Sequence, residues 1–375
     1  MRRPVLARDM PAGAVQVTSW SCESMDDVDP QALGVTYWFD AALSGDPYPV
    51  NVRFSGRRLT GPDTPGRADE FEVVHTLNDV LPGSGRVAVT ARVPGLAPGE
   101  WEVTATPVVR HAPADSPAPP NLPPGPLPRG TTVGRTTFKP VADVRAPGVR
   151  IGAWPALVAL GWLFALALQG VLAADRDLPV ARLLLVSVLA SLIGLVGAKV
   201  YYLLTHREEK AGLLRAGMSV QGFVVGAVGS VVLGSWWAGI PVGPMLDVTA
   251  PGLLVGMTIG RLGCLLGGCC VGRPTASRWG IWSSDRRVGV RRIPVQLLES
   301  SLAGLIAAAT LAAVVLADPG VDGLLFVAGV AAYTFGRQVL FPLRGLPRQT
   351  KHGRRLTLAV AGLVLLAALS VLVSV

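Results

Sequence analysis

Two kinds of hydrophobic pattern divide this chain. Up to about residue 110, apolar and polar positions alternate over short runs; beyond residue 150, apolar positions run together with few breaks. The alternating runs are 15–20, 34–40, 49–55, 70–77, 86–93 and 100–109, rich in Val, Thr, Phe, Tyr and Trp and parted by Gly, Pro and Asp. Successive side chains of a strand face opposite sides, so each run predicts a strand with one buried face. Their regular spacing predicts a β-sandwich over residues 1–110.

Residues 111–150 predict a linker. Eight prolines fall between Pro113 and Pro128, which favours an extended, semi-rigid polyproline spacer. Seven apolar segments follow, at 151–174, 183–204, 218–239, 244–267, 294–317, 322–343 and 356–375. Each is about long enough to cross ~30 Å of hydrocarbon as a helix. The expected fold is therefore an all-α seven-helix transmembrane bundle over 151–375, preceded by a soluble all-β sandwich. Within the third segment Gly222, Gly226, Ser230 and Gly234 recur every fourth position, a stripe expected to pack against another helix rather than to form a groove.

Composition agrees: half the residues are hydrophobic and the mean hydropathy is +0.46. The net charge of +9 does not point to nucleic acid, because the basic residues lie between apolar segments, where they orient helices or meet anionic lipid. Eighteen Lys and Arg flank one side of the spans, and only Arg176 and Arg182 the other. By the positive-inside rule the N-terminal domain is cytoplasmic. Residues 1–11 hold arginines but no apolar stretch of signal-peptide type. Four cysteines, three of them in one short window, do not make a disulfide framework. The β-runs contain no catalytic cluster, with His75 and Cys22 each isolated. The stretch VPGLAPGEWEVTATPV, residues 93–108, resembles a turn and closing strand of a fibronectin- or immunoglobulin-like module, a binding or spacer domain whose partner is unknown.

Function is sought where charge enters the apolar segments. Lys199, Asp247, Arg261, Glu299 and Arg337 lie in or at the edge of them. An arginine at that depth costs roughly 2.5–3.5 kcal/mol on insertion scales, so such residues face a bundle interior and mark a site. The bland alternative is that Asp247 and Glu299 only neutralise nearby bases. Asp247 and Arg261 share a face of the fourth segment but stand roughly 21 Å apart along it, which leaves Arg261 free for another partner. Gln296 and Glu299 share a face of the fifth segment. Tyr333, Arg337 and Arg344 form one polar stripe, Arg344 nearest the membrane surface. Converging arginines suit an anionic phosphate, which guanidinium holds bidentately; a phospholipid headgroup is the membrane-resident candidate.

The stretch GRLGCLLGGCCVGRPT, residues 260–275, leaves the membrane through glycines and three cysteines. Cys264, Cys269 and Cys270 lack the spacing of zinc pairs and have no histidine nearby, so no metal and no cofactor is expected. They are small packing residues or a redox-sensitive thiol set, with metal binding of another kind and a covalent acyl or diacylglyceryl carrier thiol as the further alternatives.

These residues bring a resemblance into view. GAKVYY at 197–202, GMSVQG at 217–222, DVTAP at 247–251, the 260–275 stretch, IPVQLLE at 293–299 and YTFGRQVLFPLR at 333–344 resemble, in order, the motifs of the prolipoprotein diacylglyceryl transferase family. The resemblance covers the membrane part only. It implies an integral enzyme of the bacterial plasma membrane that moves diacylglyceryl from phosphatidylglycerol to the lipobox cysteine of a prolipoprotein. It further implies Arg261, Arg337 and Glu299 as catalytic, and Arg344, Tyr333, Gln296, Lys199, Gln221 and Gly272 as substrate-binding. It also places the N-terminus on the outer face, against the charge count. Several positions depart from the family pattern: its histidine is Gln221, its signature asparagine and acid are Cys264 and Cys269, a second histidine is Ile293, and a second acid is Phe341. Two rival readings therefore stand: a non-catalytic phospholipid-binding or scaffold protein on the same fold, and a thiol-redox membrane protein using Cys264, Cys269 and Cys270.

Overall fold

The computed structural model describes residues 10–18, 28–59, 69–108, 126–206, 217–317, 320–345 and 352–374. Cys22 lies outside these. The chain divides into two compact units. One, here the β unit, comprises Met1–Pro155, Leu262–Leu297 and Leu343–Pro347; the other, the helical unit, comprises Ala156–Arg261, Leu298–Pro342 and Arg348–Val375.

The β unit contains β1 (Val15–Val17), β2 (Gln31–Asp40), β3 (Tyr48–Arg58), β4 (Glu70–Val80), β5 (Arg86–Pro94), β6 (Glu100–Val108), β7 (Gly130–Arg135) and β8 (Thr137–Phe138). From residues 262–297 it adds β9 (Ile281–Ser284) and β10 (Val288–Arg292). One sheet runs β1-β2-β5-β10-β9, with β8 also on β2; the other runs β4-β3-β6-β7, and the pairs are antiparallel. Alternate residues of both sheets meet in a core that includes Leu33, Val35, Tyr37, Phe39, Phe54, Val89, Trp101 and Val103. A buried aromatic such as Trp101 takes some 150–250 Å² out of water, worth about 4–6 kcal/mol at ~25 cal/mol per Å².

β2 is buried on both faces, which alternation alone does not explain. Its second face is covered from elsewhere in the chain. Trp38 stacks on Trp282 of β9 at 5.6 Å, Thr36 shares a 2.8 Å hydrogen bond with Thr90, and α1 (Lys139–Val144) buries Ala142.

Two expectations about boundaries change here. The predicted linker is shorter than 111–150, because β7 pairs with β6 and β8 with β2; residues 109–125, where the proline run is densest, lie outside the described residues. The stretch 273–292, between the fourth and fifth apolar segments, holds the β9–β10 hairpin. Its turn is set by Asp285, whose Oδ1 accepts from the backbone N–H of Arg287 and Val288 at 2.9 and 2.6 Å, with Arg286 at φ 76°. Val288 and Gly289 pair with Val89 and Ala88 of β5, and Val290 enters the sandwich core. Gly289 is needed at that register: a Cβ there would lie 2.3 Å from the Trp282 ring.

Seven apolar helices follow: α2 (Ala153–Asp175), α3 (Val180–Thr205), α4 (Val220–Trp237), α5 (Val242–Gly267), α6 (Val295–Leu316), α7 (Leu324–Leu340) and α8 (Gly353–Ser374). Among the described residues, six apolar stretches are long enough to cross a membrane, and α4 is apolar but shorter. This is a multi-pass membrane protein. The small-residue stripe of α4 does pack: a Cβ on Gly222 would sit 2.3 Å from the Gly197 carbonyl of α3, and Gly226 lies against Ile193 and Gly194. Glycines also bring α2 to α5, where Gly161 meets the Gly256 carbonyl and Gly252 that of Ala165. Without side chains between them, backbones approach closely and dispersion contacts replace the hydrophobic drive that lipid does not supply.

Candidate functional site

In the helical unit, three of the sequence-predicted residues converge. Arg261, on the last turns of α5, places Nε 3.2 Å from Oε2 of Glu299 on α6. Both Nε and Nη2 of Arg261 also donate to the Tyr333 hydroxyl on α7, each at 3.3 Å. The Glu299 side chain is 1% exposed and that of Arg261 15%. Arg261 is thus not free, as its distance from Asp247 had suggested, but is held by a carboxylate and a phenol from two other helices.

The surrounding packing explains the placement. Ser300, next to Glu299, donates from Oγ to the Thr258 carbonyl at 2.8 Å, tying α6 to α5 within a turn of Arg261. Tyr333 is buried with Leu254, Ala303 and Ala307, and the two alanines keep the helices close. Arg337, half-buried, follows Tyr333 by one turn and so lies on the same face of α7. Fixed in this way, the Arg261 guanidinium has its orientation set by side chains from two other helices.

Asp247 is no part of this group. Its carboxylate accepts from the backbone N–H of Gly323 at 2.6 Å and of Phe326 at 3.1 Å, capping the start of α7 from α5. Negative charge at a helix N-terminus is stabilised by the unpaired N–H groups and the helix dipole, so this acid does structural work. A cavity of about 190 Å³ at this place is lined by Arg176, Leu178, Pro244, Asp247, Val248, Val314 and Asp322.

A second group lies in the β unit. Helix α5 ends in a Schellman motif: Gly268 takes φ 67° and the Cys269 N–H donates to the Cys264 carbonyl at 3.0 Å. Cys270 follows, also left-handed at φ 54°. No disulfide joins the three cysteines; Cys264 is buried and Cys269 and Cys270 are half-buried. Gln296, 1% exposed, donates from Nε2 to the Cys269 carbonyl at 3.0 Å. Gly272 bridges to Arg344 through the backbone, and a Cβ on it would fall 2.1 Å from the Ile293 carbonyl. Arg344 is 5% exposed, and its carbonyl accepts from Nε of Arg273 at 3.4 Å.

Hydrogen bonding with the Cys264 and Cys270 thiols, and then burial, push the Cys269 thiol far above the usual cysteine range. It stays protonated at neutral pH, unlike an activated nucleophile. The remaining predicted residues are placed in the helical unit. Lys199 is half-buried on α3, and Gln221 is exposed in the first turn of α4, its Oε1 accepting from the Ser219 hydroxyl at 2.6 Å.

One positioning residue was missed. Arg292, 5% exposed, donates to the Gly272 carbonyl at 3.2 Å, to Asp285 at 3.0 Å and to the Val288 carbonyl at 3.1 Å. It locks the GRPT stretch onto the hairpin. The alternating VGVRR run of β10 is the signal the sequence offers for it.

Comparison with known proteins bears on this geometry. The family described as prolipoprotein diacylglyceryl transferase matches residues 141–374. The chain is 28% identical over 210 residues to the phosphatidylglycerol–prolipoprotein diacylglyceryl transferase of Clostridium tetani, an alignment covering 54% of this chain and 84% of that one. It is 32% identical over 116 residues to the transferase of the same name from Dehalococcoides mccartyi, covering 30% of this chain and 44% of the relative. With that of Frankia alni it is 29% identical over 168 residues, covering 40% and 44%. In the last two cases the chain spans less than half the length of the relative it matches.

Proposed function

The chain belongs to the prolipoprotein diacylglyceryl transferase family, and from that premise we propose that it is an integral membrane transferase. It moves the diacylglyceryl group of phosphatidylglycerol to the thiol of a prolipoprotein cysteine. One observation supports the site: Arg261 is held by Glu299 and Tyr333 from two neighbouring helices, with Arg337 on the Tyr333 face.

In this reading the thiol sulfur attacks the glyceryl carbon that carries the phosphate ester. A C–S bond forms, the C–O bond breaks, glycerol phosphate leaves with the bonding electron pair, and the thiol proton passes to the phosphate or to water. Arg261 and Arg337 hold the phosphate oxygens and stabilise the charge that grows on them as the ester bond breaks. Glu299 fixes the Arg261 guanidinium by its ion pair, and Tyr333 orients it further. A thiol ionises near pH ~8.5 in water, so it needs less help from a base than an alcohol would; this accommodates Gln221 at the position of the family histidine. Gln296, Gly272 and Arg344 hold the stretch 269–273 in shape, and Lys199 adds positive charge for the headgroup.

The test is incubation of the purified protein with labelled phosphatidylglycerol and a lipobox peptide, scored for the thioether product. Arg261→Ala should lower turnover at least ~100-fold, the scale seen when one charge-stabilising donor is removed. Turnover equal to that of the parent would take Arg261 out of the site. A second reading, a phospholipid-binding protein without turnover, is favoured by Gln221 alone, since an amide cannot take a proton at neutral pH; it predicts retained lipid and no product.

The β domain and the 273–292 stretch are hydrogen-bonded within one unit, and so share one membrane face. Flanking charge makes that face cytoplasmic, and we keep this assignment, although the family resemblance implies the outer one. A reporter fused after residue 140 that is active only outside the cytoplasm would overturn it.

A further inference from the structure

The three thiols at the end of α5 are brought together by backbone geometry rather than by sequence spacing. Cys264 sits on the last turn, and the left-handed residues Gly268 and Cys270 reverse the chain so that Cys269 and Cys270 return toward it. Their sulfur atoms all lie within 4.8 Å of one another, and among the described residues no histidine or carboxylate joins the group. The Gly268 reversal is tightly enclosed: a Cβ there would meet Val149 at 2.8 Å and the Ser284 carbonyl at 2.9 Å.

We propose that Cys264, Cys269 and Cys270 form a three-sulfur site for a soft monovalent d10 cation of the Cu(I) class. Three sulfurs in a plane around one ion at bond lengths of ~2.3 Å stand ~4.0 Å apart. Closing from the present separation takes shifts well under an ångström in side chains that are already convergent. Soft thiolate ligands select Cu(I), zinc or iron–sulfur clusters. Structural zinc and the usual clusters ask for four protein ligands, whereas Cu(I) is satisfied by three sulfurs in a trigonal plane. Each coordinating thiol gives up its proton to solvent, and the complex becomes anionic. Positive charge stands close by in the chain: Arg286 donates from Nε to the Gly267 carbonyl at 3.0 Å. Gln296 holds the Cys269 carbonyl, fixing the ligand backbone in the way outer hydrogen bonds orient metal ligands. The ion would staple the end of α5 to the start of the GRPT stretch. Nothing in this depends on whether lipid transfer occurs.

The experiment uses the full-length protein in detergent, reduced and anaerobic, with Cys22→Ser as the parent to remove the fourth thiol. Cu(I) is supplied from a chromogenic chelator complex, and zinc is titrated separately against its own indicator. The expected result is one equivalent of Cu(I) withdrawn per chain, with ultraviolet thiolate-to-copper absorption and a raised melting temperature. Cys264→Ser and Cys269→Ser should each weaken binding at least tenfold while keeping the parent's metal-free melting temperature within a few degrees. If either variant fails to fold, Cys270→Ser, at a half-buried position, gives the same readout. No withdrawal of Cu(I), uptake unchanged by these replacements, or tighter binding of zinc than of Cu(I) would each overturn the assignment.

Discussion

The Glu299 carboxylate can be neutralised with almost no change of shape, and the consequence can be worked out. Glu299→Gln leaves the Arg261 guanidinium with its two 3.3 Å hydrogen bonds to Tyr333 but without its 3.2 Å counter-charge. Breaking a buried pair by removing one partner costs about 3–5 kcal/mol, because the other charge is stranded. Arg261 is 15% exposed, which lets some water reach it and places the expectation at the lower end, ~3 kcal/mol. At roughly 2–3 °C per kcal/mol for a chain of this size, the melting temperature should fall by ~6–9 °C. Removing both charges together, as Arg261→Met with Glu299→Met, should cost less than the single change, since a well-packed apolar pair replaces a buried ion pair at little loss. Heating detergent-solubilised protein and following the monomer peak on size exclusion measures all three. A single variant melting within ~2 °C of the parent would refute the reasoning, as would a double variant that melts below it.

Two further outcomes follow from the β unit. Trp282→Ala removes the stack on Trp38 and the 2.9 Å hydrogen bond to the Arg86 carbonyl; because Trp282 is half-buried, the loss should be ~2–3 kcal/mol, below the ~3–5 of a fully buried aromatic; amide exchange over Val288–Arg292 should accelerate, and unchanged protection would contradict the account. Burial first, then the charges of Arg287 and Arg92, lower the pKa of His75. The unfolded chain therefore takes up this proton more readily than the folded one, so the contribution of His75 is fully present above pH ~6.5 and is lost as pH falls below it. Denaturation monitored between pH ~7.5 and ~5 should show a shallower decline for His75→Gln, and parallel curves would exclude this origin.

Much of the architecture could be read from hydrophobic spacing. Runs of apolar residues fixed α2 to α8 within a few positions, and alternation located β1 to β6. What spacing could not supply was pairing between distant stretches. Gly130–Arg135 has little apolar content and reads as spacer until its backbone is seen on β6. Val288–Arg292 reads as a charged loop until Val290 is found in the core. At the candidate site, the presence of Arg261, Glu299 and Tyr333 was legible because charge and phenol stood out against apolar helices. That Glu299 rather than a ligand faces Arg261 depends on how α5 and α6 are rotated, which the Ser300–Thr258 hydrogen bond sets and no single-helix pattern reveals. Asp247 shows the converse: an acid at membrane depth looked functional, yet it caps a helix end.

The pairing of β10 with β5 also constrains how the chain can mature. A ribosome delivers β5 long before β10, with α2 to α5 emerging in between, so the sandwich waits with one open edge while those helices enter the bilayer. An unpaired edge is a template for another chain, and long-range pairing of this kind is slow and exposed to aggregation. A fragment cut before α2 would keep that edge permanently, with Ala88 and Val89 offered to a neighbour. The β unit is thus completed by a hairpin that the sequence places between two apolar helices, and insertion that stalls midway leaves an adhesive half-product rather than a finished domain.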